Sequence, residues 1–428
     1  MSKLLNIAKN QLRQLFKNIA SIQVHLQNKS PLMELCIALG GKIVNFELTD
    51  EQKMVQDMAK NFAEKEIAPY VDEDEENHHY RREILTKMGE LGLLGWSLPE
   101  EYGGNGMGWM EAVLALYEIA KVHTSWRLSI SGNNWGPAMT INQYGTPEQK
   151  EKYIPKLLSG EHVGSFAITE ANSGSDVASM KTFAQDKGDH WLMNGSKMWI
   201  SGGHASDVGL VYAVTEKGAA HKGLSCFIVD YNNTPGITRI PIHTKVGMWP
   251  APTSELVFEN AVIPKENLLG PLNQGFPICM WQLNNTRMGC ATGSAALSAA
   301  CLEGSVQYAN ERTQFGKPIG KYQMIQQQIT EMKLEDEAAK YLVYRAAWLK
   351  DKGLPNQQAV SMAKLVGCQA AVHAANMAMK IYGSYGYSTE YPCGRWLRDA
   401  KQFETLEGTS NMHMQIIANI ELGYQPNR

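Results

Sequence analysis

The stretch FETLEGTSNMHMQIIA (403–418) carries the most chemistry. Glu407 is followed by Gly408, and Thr409 and Ser410 are residue types that cap a helix. A carboxylate on a loop entering a helix, beside a flexible glycine, is able to swing against a substrate and act as a general base. The same spacing also describes a solvated acid stabilised by a helix N-terminus.

Four other stretches hold residues suited to ligands. In FAITEANSGSDVASMKT (166–182), Ser173, Gly174 and Ser175 lie between a strand and the next segment. Such small residues let backbone N–H groups and hydroxyls approach a phosphate or a ring, and they equally make an ordinary turn. NNTRMG (284–289) is expected to open a long helix, with Arg287 in its first turns. ERTQFGKPIGKYQ (311–323) supplies Arg312, Gln314, Lys317 and Gln323. A planar guanidinium suits pyrophosphate, whereas a basic segment at a helix C-terminus also serves the dipole and solubility. KIYGSYGYSTEYP (380–392) is a Gly-rich break between helices.

The elements that must position these residues fall into three regimes. Residues 46–163 are helical: Thr49-Asp50-Glu51-Gln52 has the acids of a helix start. ILTKMGELGLLG and MEAVLALYEIAKV then repeat with a 3.6-residue period. PEEYGGNGMG (99–108) is a loop, and Pro147 starts a further helix. Residues 164–277 change to short β-branched or aromatic runs (GSFAIT, WLMNGSKMWIS, VGLVYAV, LSCFIVD, GITRIPIH, SELVFENAVI) separated by Gly, Asn, Pro and Asp. No helix of ordinary length intervenes, so an antiparallel β domain is expected rather than a βαβ array, and there is no Rossmann glycine fingerprint. Residues 278–428 return to long, Ala-rich helical patterns, four of them, with the last beginning near Ser410, which suggests a bundle.

Composition narrows the function. The chain has 428 residues, more than one core usually serves. It is 44% hydrophobic and 19% charged, with net charge −3, which argues against nucleic-acid binding by bulk positive charge. No apolar run approaches the roughly 18–20 residues of a membrane span. The seven cysteines are scattered and lack CxxC spacing, as reduced thiols rather than a disulfide framework or zinc site. Residues 1–45 form a basic amphipathic extension whose first 33 residues hold Lys3, Lys9, Arg13, Lys17 and Lys29 and no acid. That pattern suits a mitochondrial transit peptide, placing the protein in the matrix. Its lysine excess suits a dispensable extension of a bacterial, cytoplasmic protein.

Taken together and in order, the strings PEEYGGNG, ITEANSGSD, NGSKMWIS, ERTQFGKPIGKYQ, YGYSTEYP and RDAKQFETLEGTS resemble the acyl-CoA dehydrogenase family across roughly residues 46–424. The resemblance implies an α+β multidomain fold: an N-terminal helical domain, a middle antiparallel β domain and a C-terminal four-helix bundle. It also implies FAD, a homotetramer, an acyl-CoA substrate and electron-transfer flavoprotein as electron acceptor. Glu407 matches the family's base, which takes the α proton while hydride leaves the β carbon for flavin N5. The Glu407 N–H and a ribityl hydroxyl of FAD then hold the enolate oxygen.

Other roles carry over by position. Phe166, Ile168, Thr169, Ser175, Trp199, Ile200 and Ser201 match stretches lining the isoalloxazine, and Ser175 also matches a contact to the CoA arm. Arg312, Gln314, Phe315 and Gln323 match a segment reaching the FAD of a neighbouring subunit. Lys380, Gly383 and Ser384 match a further part of that shared site, which Thr409 and Asn411 close. Asn284 and Arg287 match positions holding CoA, and Gly408 sits at the substrate.

The chain departs from the family at Gly383-Ser384-Tyr385-Gly386, at Lys380, and at Trp249 and Ala251, where Arg and Ser are usual. Within the family, LNNTRMG and GTSNMHMQII, with His413, look most like glutaryl-CoA dehydrogenase. Arg127 matches that enzyme's arginine for the distal carboxylate. However, Leu128 and Ala120 replace a serine and an acid beside it. Alternatively, Asn134, Trp135 and Trp249 shape a pocket for a cyclic or aromatic acyl group, or the substrate is a short straight-chain acyl-CoA, and Arg127 is a structural ion-pair partner. An oxygen-using acyl-CoA oxidase, or an acyl-CoA-binding flavoprotein without turnover, are the competing classes.

Overall fold

The computed structural model describes residues 46–424; the amphipathic segment 1–45 expected from the sequence lies outside them. Helix α1 spans Asp50–Phe62. The described residues from Gln52 onward form one compact unit.

Its helical start continues with α2 (Val71–Asn77), α3 (Arg82–Glu90), α4 (Trp109–Val122), α5 (Trp126–Asn133), α6 (Met139–Tyr144) and α7 (Pro147–Leu158). Helix α7 begins where its chemistry requires: Pro147 occupies the first turn, and Thr146 and Gln149 form a reciprocal capping box. α4 is buried along most of its length. Its apolar residues share a core with Ile84, Trp96, Trp109 and Trp135 and with residues of the C-terminal helices.

The middle region holds β1 (Gly164–Ala167), β2 (Phe183–Asp186), β3 (His190–Ser201), β4 (Val208–Val214), β5 (Leu224–Asp230), β6 (Ile237–Pro241), β7 (Thr253–Pro264) and β8 (Leu268–Leu269). They form one sheet in the order β6-β7-β3-β2-β4-β5-β8, with β1 added beside β4. The sheet is not wholly antiparallel as expected: β1 and β2 both run parallel to β4. A parallel pairing leaves no hairpin signature in sequence, because its partners are joined by long connections. β4 and β5 are buried on both faces. Leu210, Tyr212, Cys226 and Ile228 meet Ile154, Leu157 and Ile278. Val211, Ala213, Phe227 and Val229, which alternate with them, meet Trp191, Leu256 and Phe258.

The C-terminal region contains α8 (Gly275–Glu311), the short strands β9 (Thr313–Gln314) and β10 (Lys317–Pro318), α9 (Gln323–Asp351), α10 (Gln357–Tyr382), α11 (Cys393–Phe403) and α12 (Ser410–Glu421). α8 starts well before the expected NNTRMG, so Arg287 lies more than three turns inside it. Pro277 falls in the first turn of α8, where its missing N–H costs nothing. Gly and Ala let α8 and α10 touch closely: a Cβ on Gly367 would fall 2.5 Å from Ser294 Oγ. No helix among the described residues is long and apolar enough to cross a membrane.

Candidate active site

A cleft of about 1460 Å³ opens between the ends of β1 and β3, the start of α8 and the segment joining α11 to α12. It exceeds the roughly 300–1,000 Å³ of a drug-sized site, leaving room for two extended ligands. Its lining is mostly apolar, with hydroxyls from Thr169, Ser175, Ser201 and Thr409 at the edge.

Trp199 is aimed at this cleft by a backbone irregularity. The register of β3 against β7 shifts between Lys197 and Ile200, and Trp199 there takes φ 65°. A bulky residue with positive φ is strained, and a bulge of this kind re-aims a side chain. The indole is left 57% exposed at the cleft. Beneath it, Lys197 is fully buried; it donates to Glu170 Oε1 (2.8 Å) and to Ile168 O (3.1 Å). Glu170 also accepts from the N–H groups of Lys181 and Thr182, so one ion pair ties the 168–182 segment to β3. The charge of Lys197 and these hydrogen bonds overcome burial and hold the Glu170 carboxyl below its ordinary value. A flat exposed ring, an apolar floor and hydroxyls at the rim fit a flavin.

On the opposite wall, Glu407 lies in the link between α11 and α12. Its φ is 58° and that of Gly408 is 94°. The carboxylate Oε2 accepts from Thr286 Oγ1 at 2.6 Å. The Glu407 carbonyl accepts from Arg287 Nε at 2.9 Å, and the Gly408 carbonyl from Lys364 Nζ at 2.7 Å. No protein acceptor among the described residues takes the Glu407 N–H. Thr409 is the N-cap residue of α12 as expected, but its side chain makes no capping bond. His413 is buried one turn into α12; burial, then the charges of Lys364 and Arg287, push its imidazole down to about 3, so it is neutral.

Arg127 stands one layer behind the cleft. It is fully buried, and none of its three guanidinium nitrogens has a hydrogen-bond partner among the described residues. The Phe403 ring centroid lies 5.7 Å from it. Leu128 and Ser131, its neighbours on α5, line the cleft, and the Ser131 hydroxyl is also unpartnered. Burial raises the Cys290 thiol, but a hydrogen bond with Cys368 and the charges of Lys364 and Arg127 pull it down to about 7. The three buried cations Arg127, Arg287 and Lys364 thus all lie within electrostatic reach of Cys290, as does the Glu407 carboxylate.

The cleft brings together Phe166, Ile168, Thr169, Ser175, Trp199, Ile200, Ser201, Arg287, Glu407, Gly408 and Thr409. It does not include Asn284, whose amide donates to Asn356 instead. Nor does it include Arg312, Gln314, Phe315, Gln323, Lys380, Gly383, Ser384 or Asn411. Arg312 follows α8 some 25 residues after Arg287, roughly 37 Å along the axis at 1.5 Å per residue. Phe315 there is 94% exposed. Asn134, Trp135 and Trp249 are likewise away from the cleft: Trp135 stacks on Trp109, and Trp249 lies between His78 and Arg398. The two tryptophans are held by these stacks, so an acyl pocket built on them is not what the fold makes. Thr286 and Lys364 went unrecognised in the sequence. A lone lysine within the apolar run AVSMAKLVGCQAA was the one signal for Lys364.

Comparison with known proteins covers this whole unit. Family descriptions match in series: acyl-CoA dehydrogenase N-terminal domain at 49–161, middle domain at 165–261 and C-terminal domain at 273–422. The chain is 46% identical over 384 residues to a glutaryl-CoA dehydrogenase of Desulfococcus multivorans, covering 89% of this chain and 98% of that one. Among solved structures, a glutaryl-coenzyme A dehydrogenase in complex with glutaryl-CoA superposes with a TM-score of 0.87 at 44% identity, over 89% and 98% of the two chains. A chain solved in work on an electron transferring flavoprotein of Acidaminococcus fermentans gives 0.87 at 39% identity, over 89% and 100%.

Proposed function

The chain belongs to the acyl-CoA dehydrogenase family, and on that premise we propose that it oxidises an acyl-CoA whose acyl chain ends in a carboxylate, with Glu407 as base. The family's cofactor, FAD, supplies the acceptor for the hydride lost from the β carbon. Phe166, Ile168, Thr169, Ser175, Trp199, Ile200, Ser201 and Thr409 would hold its ring system in the cleft.

Glu407 takes the α proton. Thr286 donates to one carboxylate oxygen and leaves the other for that proton. The unshared Glu407 N–H is a preorganised donor for the thioester oxygen as enolate charge develops. Arg287 and Ser175, both on the cleft wall, are suited to the CoA arm.

The orphaned guanidinium of Arg127 carries the choice of acyl group. An unpaired buried cation is expensive, and an anion arriving with the substrate relieves it. A planar fork also suits a carboxylate bidentately. Leu128 and Ser131 stand between it and the cleft, so the distal end of a short dicarboxylic chain is the part that reaches it. The similarity to glutaryl-CoA dehydrogenases points the same way.

Arg312, Gln314, Phe315, Gln323, Lys380, Gly383, Ser384 and Asn411 would complete the FAD site of another copy in a homotetramer. Their distance from this chain's own cleft and the exposure of Phe315, Met324 and Tyr387 favour that arrangement. Electron-transfer flavoprotein is the proposed electron acceptor.

Flavin bleaching of purified holoenzyme by a series of CoA thioesters, with and without oxygen, tests the proposal. Glutaryl-CoA should outrun butyryl-CoA, oxygen should not replace the acceptor, and Arg127→Leu should lower kcat/KM for glutaryl-CoA by about 2–5 kcal/mol. A wild-type preference for neutral thioesters would overturn the dicarboxylate assignment, and equal losses on both substrates would make Arg127 structural.

A further inference from the structure

We propose that Lys364 and Cys368, one turn apart on α10, are positioning residues that clamp the loop carrying Glu407, with Lys364 the stronger member. The inference rests on Glu407 being the base.

The link from α11 to α12 is short, and two consecutive residues in it, Glu407 and Gly408, take positive φ. Glutamate in the left-handed region is strained, and such conformations persist only where the surroundings over-determine them. The loop's own bonds, Thr405 N–H to Gln402 O and Ser410 N–H to Glu404 O, close it on itself but tie it to nothing else. The external ties come from the bundle. Phe403 O accepts from Cys368 Sγ at 3.0 Å, Glu407 O from Arg287 Nε at 2.9 Å, and Gly408 O from Lys364 Nζ at 2.7 Å. Positions 364 and 368 share one stripe of α10, so a single rigid helix holds both ends of the loop. That helix is seated on α8, the helix bearing Thr286 and Arg287, through the close contact at Gly367.

The identity of the clamp follows from chemistry. Lys364 is fully buried, where an ammonium is costly unless hydrogen-bonded. The Gly408 carbonyl is its one hydrogen-bond partner among the described residues, and no carboxylate there pairs with it, so its burial is not explained by an ion pair. A charge-assisted bond from an ammonium is stronger than a thiol's weak donation, which ranks Lys364 above Cys368. Releasing Gly408 O lets the Glu407–Gly408 peptide relax from its strained geometry and carries the carboxylate off line. A misplacement of about 1 Å costs on the order of 10²-fold in rate.

Two substitutions in the FAD-loaded enzyme test this. Lys364→Met keeps length and burial without a donor; Lys364→Gln keeps a donor without charge. Steady-state kinetics with glutaryl-CoA and butyryl-CoA are paired with washout of deuterium from their α carbons, which reports proton abstraction alone. The clamp predicts that Lys364→Met lowers kcat and washout together by about 30- to 100-fold, with KM within about threefold, and that Lys364→Gln recovers most of the loss. Unchanged washout in Lys364→Met overturns the clamp while leaving Glu407 as base. Equal losses in both variants, or losses that track FAD content, mean that Lys364 only supports packing and also overturn it. Should Lys364→Met fail to load FAD, Lys364→Gln decides: washout within about tenfold of wild type supports the clamp, and a larger drop refutes it. A wild type inactive on both thioesters removes the Glu407 premise and the clamp with it.

Discussion

Replacing Glu407 by glutamine isolates proton abstraction from everything else the loop does. The amide oxygen of glutamine accepts from Thr286 Oγ1 as Oε2 does at 2.6 Å, so the side chain keeps its anchor. Arg287 and Lys364 bind backbone carbonyls at 407 and 408 and are indifferent to the change. The loop should therefore survive, with FAD still bound. What is lost is the group that takes the α proton, typically worth 10²–10⁴-fold, or about 3–5.5 kcal/mol at 1.36 per decade. No neighbour replaces it: His413 is held neutral and buried, and Arg287 and Lys364 are cations committed to carbonyls. The upper half of that range, about 10³–10⁴, is expected. The assay is anaerobic single-turnover mixing with a thioester that the wild type uses, following loss of oxidised-flavin absorbance. Binding is read separately from the initial spectral perturbation, which should persist. Flavin reduction within tenfold of the wild-type rate would refute Glu407 as base and point instead to another titratable group lining the cleft, such as Asp176, His221 or Lys245.

Arg312→Ala should lose FAD and assembly together, since cofactor and subunit contacts are linked if this segment serves a neighbour's site; sedimentation that finds a flavin-replete tetramer contradicts it. His413 has a folded pKa near 3 against an ordinary 6.5. The unfolded chain therefore takes up a proton that the folded one refuses, and stability falls as pH drops from about 6.5 toward about 3. Denaturant midpoints measured across that window should flatten in His413→Gln; an unchanged slope means that His413 is not the titrating group.

How much was visible in the sequence depends on whether a feature is local. Glu407 stood out as a candidate because an acid, a glycine able to take positive φ and a cap residue are consecutive; that spacing equally describes a solvated acid at a helix start, and the family resemblance supplied the role of base. The start of α7 was legible through Pro147, and the structure adds the Thr146–Gln149 capping box. Thr286 was not, because it meets Glu407 across 121 positions, and Lys364 meets Gly408 across 44. Spacing along one chain says nothing about such meetings; only the crossing of α8, α10 and the α11–α12 link creates them. Arg127 shows a third case. The family resemblance marked it as a candidate for a carboxylate, with a structural ion pair as the alternative, but the layer it occupies, behind Leu128 and Ser131, depends on how α5 lies against β1 and α8. A Cβ on Gly164 would fall 2.4 Å from Gly132 O, so that approach is set by two glycines that no local pattern pairs.

The cations that hold the catalytic loop also define what the loop is able to do. Arg287 and Lys364 are needed on the carbonyls of Glu407 and Gly408 because a strained link has no helix or strand to satisfy them. Their charges remain after those bonds are made, and with Arg127 they give the groups around Cys290 and Glu407 a positive total. Proton transfer from the α carbon to Glu407 does not alter that total. It moves one negative charge from the carboxylate toward the thioester oxygen, within the same field. Electrostatic cost is then small as the enolate forms, and the remaining imbalance stays at Arg127. A substrate carboxylate would fill that place, so the proposed clamp on the base and the proposed preference for an acidic acyl chain would follow from one arrangement of buried cations.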